Sequence, residues 1–162
     1  MALRLPLVLG ADGLQQQLQS GDTISASIST ASVRSVTNGE SAAAITFGMA
    51  VYASAADTVK RGQANAKATA RIAGLVYDAT IAAAGVGNVA QSGILIGTTA
   101  QWDAVAGTTG GLVFNTVYFL DPTTPGKITA TPPTTVGQCV VTIGTAISTT
   151  ELELQITQPI LL

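Results

Sequence analysis

Histidine is absent from the 162 residues, and cysteine and tryptophan occur once each. Without His the chain lacks the commonest general base, the base of the usual hydrolase triad and the most frequent metal ligand. A single cysteine, Cys139, excludes an intramolecular disulfide and a Cys-based zinc site. It sits in the apolar run Cys139-Val140-Val141-Thr142-Ile143 and reads as a small buried hydrophobe. Charge is scarce too: charged residues make up 10% of the chain, against roughly 25% in ordinary soluble domains. The net charge is −2, and the basic residues Arg4, Arg34, Lys60, Arg61, Lys67, Arg71 and Lys127 are mostly dispersed. A nucleic-acid binder needs a basic face. No apolar run approaches the roughly 20 residues that a membrane-spanning helix requires. We therefore expect no nucleic-acid partner, no membrane insertion, no cofactor and no enzymatic activity.

The carboxylates do not gather into a reactive constellation. Glu151 and Glu153 share one face of a strand-like segment and read as rim charges, not as an acid/base pair. Asp57, Asp78, Asp103 and Asp121 lack the spaced acidic loop of a calcium site, so no metal is expected. Asp121-Pro122 reads as a turn starter. Gly85-Val86-Gly87 and Gly107-Thr108-Thr109-Gly110-Gly111 lack the full glycine pattern of phosphate loops and read as turns.

What the chain does contain is short β-favouring runs between Gly, Pro and Thr punctuation. Residues 23 to 29 alternate apolar and small polar side chains, the period of a half-buried strand. Asn38-Gly39 reads as a hairpin turn. Ala44 to Phe47 and Met49 to Tyr52 read as strands parted by a kink at Gly48. Residues 53 to 70 read as strand plus loop. Arg71 to Tyr77, Gly85 to Val89 and Gly93 to Ile96 continue the series. The segment from Glu151 to Thr157 places Leu152, Leu154 and Ile156 on one face and the carboxylates on the other. The expected fold is all-β, a small β-barrel or β-sandwich with an extended N-terminal arm over residues 1–22 and a C-terminal strand. Residues 23–162 form a single β domain, with a faint echo between 45–97 and 107–158. The apolar opening Met1 to Leu9, broken at Gly10-Ala11-Asp12-Gly13, reads as an arm and not as a leader peptide. Leu14 and Leu18 could share a face on at most one helical turn.

Hydrophobic residues amount to 47% of the chain, and so few charges protect a surface poorly from its neighbours. Coverage by other subunits is the economical explanation. Several stretches resemble bacteriophage virion structural proteins, in particular small head decoration, or capsid cement, proteins. They are Pro6 to Leu14, Gly48-Met49-Ala50-Val51-Tyr52, Arg71 to Val76, Gln101-Trp102-Asp103-Ala104-Val105-Ala106-Gly107 and Gly110-Gly111-Leu112. Further matching pieces are Tyr118-Phe119-Leu120-Asp121, Pro125 to Thr129 and Pro159-Ile160-Leu161-Leu162. The resemblance implies a β-barrel or sandwich on the outside of an icosahedral shell, with the major capsid protein as partner and a homo-oligomer, often a trimer. It carries over no catalytic residue. The same motifs occur in tail and fibre components, and a glycan-reading tail module is the alternative, with Trp102, Tyr52, Tyr77 and Tyr118 as its available aromatics. The expected assembly contacts are Leu3, Leu5, Leu7, Leu9, Leu14 and Leu18 of the arm, and Leu152, Leu154, Ile156, Ile160, Leu161 and Leu162 of the tail. Trp102 is either a plug of the core or an interface anchor, and we count it with them.

Overall fold

The computed structural model describes residues 31–162 and, ahead of them, the backbone of two short strands, β1 (Leu7–Leu9) and β2 (Gln15–Gln17). Leu3, Leu5, Leu14, Leu18 and the alternating stretch 23–29 lie outside the described residues. β1 and β2 pair antiparallel, with Leu7 opposite Gln17 and Leu9 opposite Gln15. Strands account for 43% of residues 31–162 and helix for 6%, which makes the fold all-β.

Five strands close a small barrel: β3 (Ala31–Asn38), β5 (Ala50–Ala55), β6 (Thr58–Arg61), β7 (Ile72–Val76) and β9 (Val86–Ile96), hydrogen-bonded in the ring β9-β3-β6-β5-β7-β9. Only the β3–β6 contact is parallel. Successive strand residues face opposite ways, and the barrel uses this fully. Val36, Val51, Val59, Val76 and Val89 fill its interior. The short pair β4 (Ile45–Thr46) and β8 (Thr80–Ile81) adds Ile45 and Ile81 to that interior. Their sequence neighbours Ala50, Leu75 and Ala90 point outward into a second core.

That second core is roofed by a wing of strands continuing from β9. Along β9, Val89 and Ala90 pair with β7, and Gly93 to Ile96 pair with β14 (Glu151–Leu154). A register shift between Ser32 and Val33, opposite this transition, marks a bulge. Bulges bend a strand and raise its local twist, which lets one strand serve both barrel and wing. From β14 the sheet runs on through β13 (Thr142–Ala146), β10 (Val117–Leu120) and β11 (Ile128–Thr129). Leu95, Leu152, Leu154, Ile143, Tyr118 and Ile128 share the core beneath it with Ala50 and Leu75 of the barrel. Residues 45–97 thus supply most barrel strands and 107–158 most of the wing; the two stretches differ in topology and share this core. The molecule is at once a closed barrel and a two-layer sandwich. Cys139 is fully buried in β12 (Cys139–Val140), which pairs with β15 (Ile160–Leu161).

The helix α1 (Thr99–Ala106) has no counterpart in the strand-by-strand sequence reading. Its signals are local. Thr98 accepts from the Gln101 backbone N–H at 3.2 Å while the Gln101 side chain accepts from the Thr98 N–H at 2.8 Å, a reciprocal capping box. Gly107 ends the helix in the left-handed region at φ 66° and donates to the Asp103 carbonyl. The helix exists to deliver Trp102 and Val105 to the core.

Asn38-Gly39 is not a hairpin turn. β3 has β6 and β9 as neighbours, and the next strand, β4, pairs with β8. Asn38 is instead a buried clasp: its amide donates to the carbonyls of Ala43, Ile81 and Ala82 at 3.0 to 3.1 Å, and its Oδ1 accepts from the Glu40 N–H at 2.9 Å. The side chain supplies a local turn, as Asn does, but spends its donors on a distant loop. Each buried polar group orphaned by its loss costs about 1–3 kcal/mol. Asn38→Ala should lower the unfolding free energy by about 2–3 kcal/mol in urea denaturation, and a change under about 0.5 kcal/mol would show that the clasp is dispensable.

Candidate functional site

Three of the expected assembly contacts are turned inward. Leu152 and Leu154 are buried under the wing, and Trp102 is wholly inaccessible, so none of the three can touch another subunit. The alternation that marks β14 as half-buried is real, but its apolar face is turned to the chain's own core. Ile156 is half-buried and packs on the same core. Ile160, Leu161 and Leu162 do reach solvent. Leu7 and Leu9 lie in β1.

Two surfaces with exposed apolar side chains emerge, both built from residues far apart in sequence. The first is the outer face of the wing. In the registers Val117↔Thr145↔Glu153↔Ile94 and Glu151↔Ile96, residues abreast on neighbouring strands share a face. The inward neighbours Tyr118, Ala146 and Leu152 fill the core, so Val117, Ile94 and Ile96 point outward with Thr145, Glu151 and Glu153. Ile96 is 52% exposed and Val117 40%. At the margin stands the loop before β10, where Val113 is exposed and Phe114 is 71% exposed. Sequence reading missed this face, because an outward Ile or Val in a strand looks the same as an inward one.

The loop that carries Phe114 is held at both ends. The Asp103 carboxylate accepts from the backbone N–H of Gly111 at 2.7 Å, the N–H of Gly110 at 3.0 Å and the hydroxyl of Thr108 at 3.0 Å. Leu112 N–H donates to the Thr149 carbonyl, Val113 N–H to the Tyr118 hydroxyl at 3.0 Å, and Asn115 N–H to the Ala146 carbonyl at 2.8 Å. A large apolar side chain on a pinned loop loses little further freedom when it binds. The Gly111 bond, seconded by Gly110 and Thr108, holds the Asp103 carboxyl below its ordinary value of 3.8 against a smaller opposing effect of desolvation. A depressed folded-state pKa means stability that is present above the ordinary value and lost as pH falls through the folded one. The loop anchor should therefore weaken below about pH 4, and Asp103→Asn should make acid unfolding shallower there. An acid limb unchanged by that substitution would remove Asp103 from the account.

The second surface surrounds the tail. Leu162 N–H donates to the Gln138 carbonyl and Gly137 N–H to the Leu162 carbonyl, which brings the 87% exposed Val136 beside exposed Ile160, Leu161 and Leu162. Several charged groups elsewhere are engaged structurally. Arg34 pairs with Asp57, Arg61 Nε with Glu40 at 3.2 Å, and Lys127 Nζ donates to the Ala104 carbonyl. Asp121 starts its turn as expected, accepting from the Thr123 and Thr124 N–H groups. Of the aromatics offered for sugar stacking, Trp102 and Tyr118 are buried, Tyr52 is half-buried and Tyr77 is exposed, so they form no common platform. No protein-family model matches the chain, and no curated protein is significantly similar to it.

Proposed function

We propose that this chain is a virion structural protein, specifically a capsid decoration (cement) protein that sits on the outside of a phage shell and stabilises it. The observation that carries the reading is the exposed wing face, Ile96 and Val117 with Phe114 beside it, on a chain with only 10% charged residues. The face is mixed, with Thr145 and Glu153 standing between Val117 and Ile94, and exposed apolar side chains rimmed by polar ones are the usual make-up of an interaction surface. A ligand that binds only the assembled state stabilises it by mass action, so a cement protein needs contact area and no reaction. Glu151 and Glu153 on the face favour a partner surface that offers Lys or Arg around an apolar centre. The partner is the major capsid protein, and the protein acts as a homo-oligomer, with a trimer favoured.

Electron microscopy of virions carrying a tagged copy tests location: density on the head supports the reading, and density confined to tail or fibres replaces it with the tail-module alternative. Deleting residues 2–18 and counting bound copies per particle tests the arm. Unchanged occupancy would remove the arm from shell binding.

A further inference from the structure

We propose that the β1–β2 hairpin of one copy adds to the open edge of β15 in a second copy, so that neighbouring molecules exchange arms onto tails. The argument begins with backbone pairing. Among the described residues β15 has one partner, β12, and the hairpin joins no other sheet. Leu161 lies opposite Cys139, whose N–H points away from β15 to the Ala64 carbonyl at 2.8 Å. In an antiparallel ladder hydrogen-bonded and non-bonded pairs alternate, so Cys139↔Leu161 is a non-bonded pair. The N–H and C=O of Leu161 therefore point outward from the edge.

Edges of this kind are usually guarded by charge, and from Gln155 to Leu162 there is no charged side chain. Ile160 and Leu161 flank the edge with more than half of each side chain's surface exposed. Beside the residues leading into β15 opens a groove of about 490 Å³ of mixed lining, with Ala53, Ala68, Ile72 and Arg71 on one side and Thr157, Gln158 and Pro159 along the tail. An extended segment with apolar side chains to set against Ile160 and Leu161 is what such an open edge takes, by strand addition.

The hairpin supplies that segment. β1 lies within the alternating Leu3-Arg4-Leu5-Pro6-Leu7-Val8-Leu9, and a lone two-stranded hairpin is at best marginal in water. Residues 18–30, which separate it from β3, can span up to about 45 Å when extended, enough to cross to another molecule. Within one chain the two elements do not pair, and we assign the contact to a second copy.

This contact extends the proposed assembly role but needs no shell, so it is tested on purified protein in solution; its failure leaves shell binding open, and failure of shell binding leaves it standing. The mass by light scattering should be oligomeric at tens of micromolar. Deleting residues 1–17 should weaken self-association at least tenfold, and so should Leu161→Pro, which removes the outward N–H without touching the β12 ladder. Near-ultraviolet dichroism of the buried Trp102 should stay unchanged in both. Oxidising Leu7→Cys with Leu161→Cys in a Cys139→Ala background, which removes the native thiol opposite position 161, should link separate chains, with neither cysteine introduced singly doing so. A monomeric wild type, unchanged mass after the arm deletion, a disulfide closed within one chain, or linkage by Leu161→Cys alone would each overturn the proposal.

Discussion

Trp102→Ala should cost about 3–5 kcal/mol, the largest single-residue loss in the molecule. The indole is wholly buried, meets Phe47 edge-on with ring centroids 5.3 Å apart, and donates Nε1–H to the Thr150 carbonyl at 2.9 Å. It joins three parts of the fold: α1, the turn after β4 and the loop before β14. Truncation removes the transfer free energy of the ring, leaves a cavity and strands the Thr150 carbonyl. Domains of this size have about 5–15 kcal/mol in all, so about a fifth or more of the stability would go. Trp102→Phe should cost less, because it keeps much of the volume and loses chiefly the hydrogen bond. Urea unfolding followed by far-ultraviolet dichroism measures both, and a loss below about 1 kcal/mol for the alanine variant would show that the core closes without the indole.

On the outer face the expected pattern is reversed. Phe114→Asp combined with Val117→Asp should cost only about 1 kcal/mol of stability, most of it from Val117, which is 40% exposed in a paired strand, while Phe114 is 71% exposed. Binding to particles should collapse. Interface anchors are each worth about 2 kcal/mol or more, roughly 30-fold in affinity, and two together approach a thousandfold if they add. New carboxylates beside Glu151 and Glu153 would also repel an acidic patch or over-bind a basic one, so the isotherm should be taken at two salt concentrations. Val86→Asp, at an exposed position on the barrel, serves as the control and should bind as the parent does. Equal binding by the double variant would move the shell contact to the surface around Val136 and Ile160.

Individual strands were legible wherever the chain alternates or punctuates clearly. Glu151 to Leu154 reads as a half-buried strand and is one. Gly48 interrupts two strands as expected, with φ at 75°. Strand plus loop over residues 53–70 also matches β5, β6 and the turns that follow. Less legible was α1, whose cap residues Thr98, Gln101 and Gly107 are ordinary in a chain so rich in Thr and Gly, and whose interior offers the core only Trp102 and Val105. Gly85 to Val89 and Gly93 to Ile96 read as separate pieces but form the single strand β9, because the bulge carries pairing across the Gly93 region.

By itself the sequence determined the β class, the lack of histidine chemistry and the period with which each strand splits its side chains between two faces. These are local properties, set by backbone sterics and residue type within a few positions. Only the tertiary structure decided which of the two faces is the inside. Leu152 and Ile96 are both aliphatic residues in strands, one fully buried and the other about half exposed, and the difference is made by β5, β7 and α1 lying under the wing. Burial depends on what comes to rest against a strand, and the neighbours that cover Leu152 are brought there from 46 to 102 positions away along the chain.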